Sequence, residues 1–257
     1  MISKRRRNLL ARLRSGRGRS REGRVLVEGR RAAAEVRAAG VPVDFALATP
    51  EALEAPEVRS LLDGWLREGE DVTRVEAKVF AEVAATEAPQ GIALVVQEPS
   101  VALNDLPAGR FVLLDGVQDP GNAGTLLRTA WAFGLTGVVA LDGTVDVWNP
   151  KAVRAAAGAG FHLAAVARAR WEEAQDWLEA GGRPLFVGAD GGRDVRAVEV
   201  QGDWVLAVGN EGRGPRPELV ARARETLSVP MPGGAESLNA AVAGSVLLWE
   251  LTLGRER

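Results

Sequence analysis

Three short clusters hold the polar side chains best placed to act on a substrate. They are Asn122 and Arg128 in DPGNAGTLLRTA, Glu211 in GNEGRG, and Ser237 with Asn239 in PGGAESLN. The apolar run WVLAV, ending at Val208, reads as a buried strand that breaks at Gly209 into a loop with three glycines in six residues. A second strand, Leu227 to Val229, runs into another Pro/Gly-dense loop that ends in Ser237 and opens the last helix. Two such loops after two neighbouring strands predict a pocket built largely of backbone. It could grip a small cofactor through N–H and C=O groups, where side chains would be in the way. The absence of cysteine excludes disulfides, thiolate nucleophiles and cysteine-ligated metals. One histidine, His162, leaves no His/Cys metal site, and no Ser/Asp pattern accompanies it as a catalytic partner, although a carboxylate-only metal site stays open.

Strands and helices must bring these clusters together. FVLLDG reads as a buried strand from Phe111 to Asp115, followed by a turn with Asp119, Pro120 and Gly121. Asn122 is placed to cap the helix that follows and stops at Gly134. Asn122, Thr125 and Arg128 lie along one ridge of that helix. An arginine on so apolar a helix needs a partner, for which a carboxylate across a domain or subunit interface is one reading. GVVAL is a further strand, Asn149 starts a helix, and Gly158 with Gly160 turn the backbone into a strand expected to hold His162. Ser237 is well placed to N-cap the last helix, and Glu211 to favour the N-terminal end of a following one. The last helix, LNAAVAGSVLLWELTL, is apolar on nearly every side, with small residues on its first turns. That is more apolar surface than one domain core needs and suggests a homodimer.

The segments DGVQDPGNAGTLLRTA, GNEGRG and VPMPGGAESLN, in this order over about the last 150 residues, resemble the three motifs of the SpoU/TrmH family. These are RNA ribose 2'-O-methyltransferases of the SPOUT class. The resemblance implies an α/β fold: a small N-terminal substrate-binding domain and a C-terminal parallel-sheet methyltransferase domain with a deep trefoil knot. The implied cofactor is S-adenosyl-L-methionine, lying against Gly209, Val229 and Leu238 with Gly212 and Met231 nearby. Asn122, Arg128, Glu211, Ser237 and Asn239 would ring the reacting ribose. No metal is required, and the second subunit of a homodimer would complete the site. Arg128 would hold an RNA phosphate and polarise the hydroxyl, a guanidinium being too hard to deprotonate to serve as base, while Glu211 or solvent accepts the proton. Ala156 and Ala241 stand where the family often has serine.

Upstream, short strands and helices alternate from Val25 to Gln97, as in a small sandwich of helices against a sheet. The expected organisation is residues 1–97 as an RNA substrate-binding domain with a basic arm, 98–109 as a linker and 110–257 as the methyltransferase domain. Residues 1–31 hold 12 Lys/Arg against two acids, while the remainder holds 20 basic and 32 acidic groups. A basic arm on an acidic body is the footprint of phosphate-backbone contact. The N-terminal domain resembles the ribosomal RNA branch, with tRNA as the alternative substrate and a non-catalytic RNA-binding protein as the alternative class. The chain has no run apolar enough to span a bilayer and no apolar region after its basic start, so a cytoplasmic protein without membrane partners is the expectation.

Overall fold

The computed structural model describes residues 2–86 and 88–254, and by internal packing they fall into two compact units. One takes the chain up to Pro99 together with Trp148–His162; the other takes Ser100–Val147 and the chain from Leu163 onward.

The first unit opens with helices α1 (Lys4–Leu13) and α2 (Gly16–Glu22). Each is started by a serine whose hydroxyl accepts a backbone N–H: Ser3 from Arg6 at 3.3 Å and Ser15 from Gly18 at 3.1 Å. Then follow β1 (Arg24–Glu28), α3 (Arg30–Ala38), β2 (Val43–Ala48), α4 (Pro56–Arg67), β3 (Val72–Arg74), α5 (Ala77–Val83) and β4 (Ile92–Gln97). The strand order is β1-β4-β2-β3, with β4 antiparallel to both neighbours and β2 parallel to β3. Leu10 and Leu13 of α1 pack with Leu26, Phe45, Leu47, Phe80 and Val95 in one core.

The basic start is therefore a packed pair of helices. Arg6, Arg7, Arg12, Arg24 and Arg30 are ion-paired with Asp71, Glu82, Glu22, Asp44 and Glu57. Arg14 and Arg19 donate to backbone carbonyls, and Arg19 is only 1% exposed. Lys4, Arg5, Arg17, Arg21 and Arg31 stay exposed, and their side chains make no hydrogen bond or ion pair among the described residues. His162, expected in a strand, closes a 3₁₀ turn (Ala159–His162), and its Nε2 lies 2.9 Å from Glu35 Oε2 of α3. The left-handed Gly158 packs so closely on α3 that a Cβ there would lie 2.7 Å from that of Glu35, which fixes the turn short of the strand.

The second unit is a six-stranded, all-parallel sheet. In chain order it holds β5 (Arg110–Asp115), α6 (Pro120–Ala132), β6 (Gly137–Leu141), β7 (Ala164–Ala169), α8 (Trp171–Gly181), β8 (Leu185–Asp194), β9 (Trp204–Gly209), α9 (Pro217–Arg222), β10 (Glu225–Ser228) and α10 (Ala240–Leu253). The intervening α7 (Pro150–Ala155) belongs to the first unit. The strand order is β10-β8-β9-β5-β6-β7. The runs FVLL and WVLAV are buried throughout, as strands covered by helices on both faces must be. β8 lies between β9 and β10, so the two glycine-rich loops do not follow neighbouring strands as expected. The chain leaves β5 for β6 on one side and later returns to β9 on its other side, which makes the C-terminal end of β5 a topological switch point.

Candidate functional site

The turns after β5, β8, β9 and β10 lie at the C-terminal ends of parallel strands, where a doubly wound sheet leaves room for a ligand. A cavity of about 820 Å³ is lined by residues 188–191 within β8, 208–215 at the end of β9 and in the loop beyond it, and 227–231 at the end of β10 and beyond it, with Ser237, Leu238, Ala243 and Leu247 on its α10 side. That volume lies in the ordinary range for cofactor sites, roughly 300–1,000 Å³. The loop after β9 is closed on itself, Asn210 N–H donating to the Gly214 carbonyl at 3.1 Å and Gly214 N–H to that of Asn210 at 2.9 Å. A Cβ at Gly209 would lie 2.2 Å from Pro215 N, so the glycine permits the closure itself.

The three polar clusters meet beside this cavity. Asn239 Nδ2 donates to Asn122 Oδ1 at 3.0 Å, and Asn122 Nδ2 donates to Glu211 Oε1 at 2.9 Å. The Glu211 carboxylate also faces the backbone N–H groups of Gln118 and Asp119, each at 3.3 Å. Partial burial pushes the Glu211 carboxyl up, but the hydrogen bonds from Asn122 and the backbone outweigh it and leave the pKa below the ordinary carboxylate value. Glu211 thus sits at the start of α6, not at the helix that follows it in sequence.

Two capping expectations are corrected. Asp119, not Asn122, caps α6, its Oδ1 accepting Asn122 N–H at 2.8 Å; Pro120 at the first helical position starts the helix early and leaves the Asn122 side chain free for Glu211. Asn239, not Ser237, caps α10, its Oδ1 accepting from Ala241 N at 2.9 Å and Val242 N at 3.2 Å. One asparagine amide therefore caps with its oxygen and reaches Asn122 with its nitrogen.

Glu211, Ser237, Gly209, Gly212, Val229, Met231 and Leu238 line the cavity, and Asn122 and Asn239 join it through Glu211. Arg128 is not brought into this cluster. It is exposed on α6, and its side chain makes no hydrogen bond or ion pair among the described residues. Sequence reasoning missed Gly188, Ala189 and Asp190, although a glycine directly after the buried run LFV could have marked them. It also missed Asn210, whose Nδ2 donates to the Gly116 carbonyl at 2.7 Å and ties two of the loops together. Among the described residues no three His, Cys, Asp or Glu side chains gather as they would around a metal.

The cavity suits a ligand that is part apolar, part polar and locally cationic. Leu227, Met231, Leu238 and Leu247 offer apolar walls, the glycine-rich loops offer backbone donors and acceptors, and Asp190, Glu211 and Glu236 supply negative charge.

Residues 109–249 match the SpoU rRNA Methylase family, and residues 8–94 match the MRM3-like substrate binding domain. The chain belongs to the SpoU rRNA methylase family. It is 41% identical over 173 residues to the 23S rRNA (guanosine(2553)-2'-O)-methyltransferase of Bacillus subtilis, covering 67% of this chain and 68% of that one. The SpoU methyltransferase AviRb of Streptomyces viridochromogenes, solved with AdoMet, superposes with a TM-score of 0.87 at 30% identity over 99% of both chains. The AdoMet-bound rRNA methyltransferase of Sinorhizobium meliloti gives 0.84 at 27% identity, covering 97% of this chain and 95% of that one. The SpoU match spans the turns after β5, β9 and β10 and most of α10.

Proposed function

We propose that this SpoU-family chain transfers a methyl group from S-adenosyl-L-methionine to a ribose 2'-hydroxyl of ribosomal RNA. The observation that carries the reading is the hydrogen-bonded run Glu211–Asn122–Asn239, which draws one residue from each polar cluster to the edge of a backbone-lined cavity. S-adenosylmethionine, when bound, supplies an electrophilic methyl group. Gly209, Gly212, Val229, Met231 and Leu238, which line the cavity, would hold it.

The chain's own residues orient the acceptor. Asn122 and Asn239 hold the ribose with the remaining N–H of each amide, and each amide is fixed in direction because its oxygen and its nitrogen are both already hydrogen-bonded. Glu211 is ionised at neutral pH and spends its lone pairs on Asn122 and backbone N–H groups, so it positions Asn122 while the hydroxyl proton leaves to solvent. Ser237 borders the same space. Arg128, unpaired and exposed, takes an RNA phosphate, for which its planar fork is suited. Residues 1–97 bind the RNA and 110–257 carry the reaction.

Two features support a homodimer through α6 and α10. Trp131 is 38% exposed and Val242 48%, large apolar side chains on two helices that pack together. The knot is likewise part of the proposal, supported by the likeness to SpoU structures and by β10 lying outside β8 while α10 returns to pack on α6 and β9. No helix among the described residues is long and apolar enough to cross a membrane, and a cytoplasmic site of action fits an rRNA substrate.

The test is transfer of radiolabelled methyl from S-adenosylmethionine to unmodified rRNA and to bulk tRNA, followed by digestion to nucleosides. Label in 2'-O-methylnucleosides from rRNA alone is the expected result. Label from tRNA alone would overturn the substrate, and cofactor binding without transfer to either would overturn the activity on free RNA.

A further inference from the structure

The cavity wall after β9 depends on residues that never touch the cavity. Asp115, at the C-terminal end of β5, is 5% exposed. Its carboxylate receives two donors from one residue: Arg216 N–H to Oδ2 at 2.7 Å and Arg216 Nε–H to Oδ1 at 2.7 Å. Arg216 stands two residues beyond Gly214, where the closed loop ends, and immediately before α9. Its guanidinium also lies over the Trp171 ring at 5.5 Å from the centroid, so the head group is fixed from a third element. The strands agree with this clamp, since Asp115 pairs in register with Gly209, the residue that opens the loop. Gly209 to Pro215 line the cavity; Asp115 and Arg216 do not.

We infer that the Asp115–Arg216 pair is the positioning device that sets the shape of the cofactor-gripping loop, with Asp115 acting on affinity through Arg216 and the loop backbone. The physical reason lies in where the pair sits. The loop is closed on itself by its two backbone hydrogen bonds and by Asn210 Oδ1 accepting from Gly212 and Arg213 N–H, and its entry is held by the strand, by Asn210 on Gly116 and by Glu211 on Gln118, Asp119 and Asn122. The exit has no strand to hold it. A buried carboxylate taking both the backbone and the side-chain donor of the exit residue fixes that end in position and direction. The Arg216 charge faces Asp115 and, at 3.5 Å, the Asp142 carbonyl.

This inference rests on the cavity holding S-adenosylmethionine, and its test separates the two. Asp115→Asn, Arg216→Ala and Arg216→Lys would be made in the full chain beside Leu178→Ala, a core truncation in α8 that neither lines the cavity nor contacts Asp115 or Arg216 by a hydrogen bond or ion pair. Cofactor affinity would be measured by calorimetry without RNA, and amide exchange of residues 210–214 without any ligand. Asp115→Asn and Arg216→Ala should raise the dissociation constant about 10- to 100-fold and speed exchange in the loop. Arg216→Lys, which keeps the charge and the backbone donor, should fall between. KM for the cofactor should rise with affinity while kcat at saturation stays near wild type. Leu178→Ala should lower Tm yet leave the dissociation constant within about twofold. An unchanged affinity in folded Asp115→Asn and Arg216→Ala, or an equal loss in Leu178→Ala, would overturn the inference alone. Failure of the wild type to bind S-adenosylmethionine would overturn the functional reading and the inference with it.

Discussion

Asn122, Glu211 and Asn239 show how three weak polar positions become one device. Each amide is oriented by a second hydrogen bond, so removing one member frees the others to rotate. Asn122→Ala should lower kcat by about 100-fold with little change in cofactor affinity, since Asn122 does not line the cavity; steady-state kinetics against both substrates would check it. Glu211 gives a pH signature. Folding lowers its pKa, so its stabilising contribution is complete above the unfolded value of about 4.3 and disappears as pH falls through the folded value. The Tm gap between wild type and Glu211→Gln should be widest above that pH and close below it. A gap that stayed constant through the acid range would show that the ionised carboxylate is not what holds Asn122. Ala157 is a separate residue-scale case. With φ of 50° it is the one non-glycine residue in the left-handed region among those described. Ala157→Gly should stabilise the protein by about 1 kcal/mol in denaturant titration.

Helix α10 is the element on which the site's geometry depends. Its N-cap supplies Asn239, its first turns line the cavity, and its flank reaches α6 through Thr129 and Ser245 hydroxyls 2.9 Å apart and the Phe133–Trp249 ring pair at 5.5 Å. Gly244 makes the approach possible. A Cβ there would lie 2.7 Å from Leu126 Cδ2 and 3.0 Å from Val208 Cγ2, both in fully packed surroundings. Gly244→Ala should therefore cost about 1–3 kcal/mol by overpacking, read as a lowered midpoint in urea. It should also weaken cofactor binding, because the cavity's α10 wall moves with the helix. The sequence showed this helix and its small first turns; it did not show which neighbour the small residues admit, because close approach depends on atoms of β9 and α6 that are far away in the chain.

For the molecule as a whole, the usable charge is smaller than the composition suggests. Of the 12 basic residues before position 32, five are neutralised by carboxylates, and Arg14 and Arg19 serve the fold. Lys4, Arg5, Arg17, Arg21 and Arg31 remain available to phosphates. Replacing Arg17 and Arg21, one turn apart on α2, with glutamine should weaken RNA binding and reduce its salt slope by about 0.7 to 0.9 for each phosphate no longer neutralised. Replacing the ion-paired Arg7 should leave the slope unchanged, with affinity followed by filter binding across a salt series. At the same scale, Val242→Asp should convert a dimer to monomer in light scattering, since a charge on an apolar interface cannot be left unpaired without cost. A wild-type protein that is already monomeric would exclude the dimer.

Much of this protein follows from its sequence alone: two α/β regions, buried apolar strands such as FVLL and WVLAV, glycine-rich turns at the strand ends, and the three clusters that carry the family resemblance. Local rules suffice there, because periodicity, turn residues and breakers act over a few positions. What only the tertiary structure decided is who meets whom. It inserted β8 between the two glycine-rich loops, and so added Gly188 to Gly191 to the cavity. It gave the caps to Asp119 and Asn239, gave Glu211 to α6, left Arg128 without a protein partner, and spent more than half of the basic arm on the protein itself. Each of those outcomes is a competition between partners far apart in the chain, settled by distance and desolvation in the folded state. No local pattern records which partner wins.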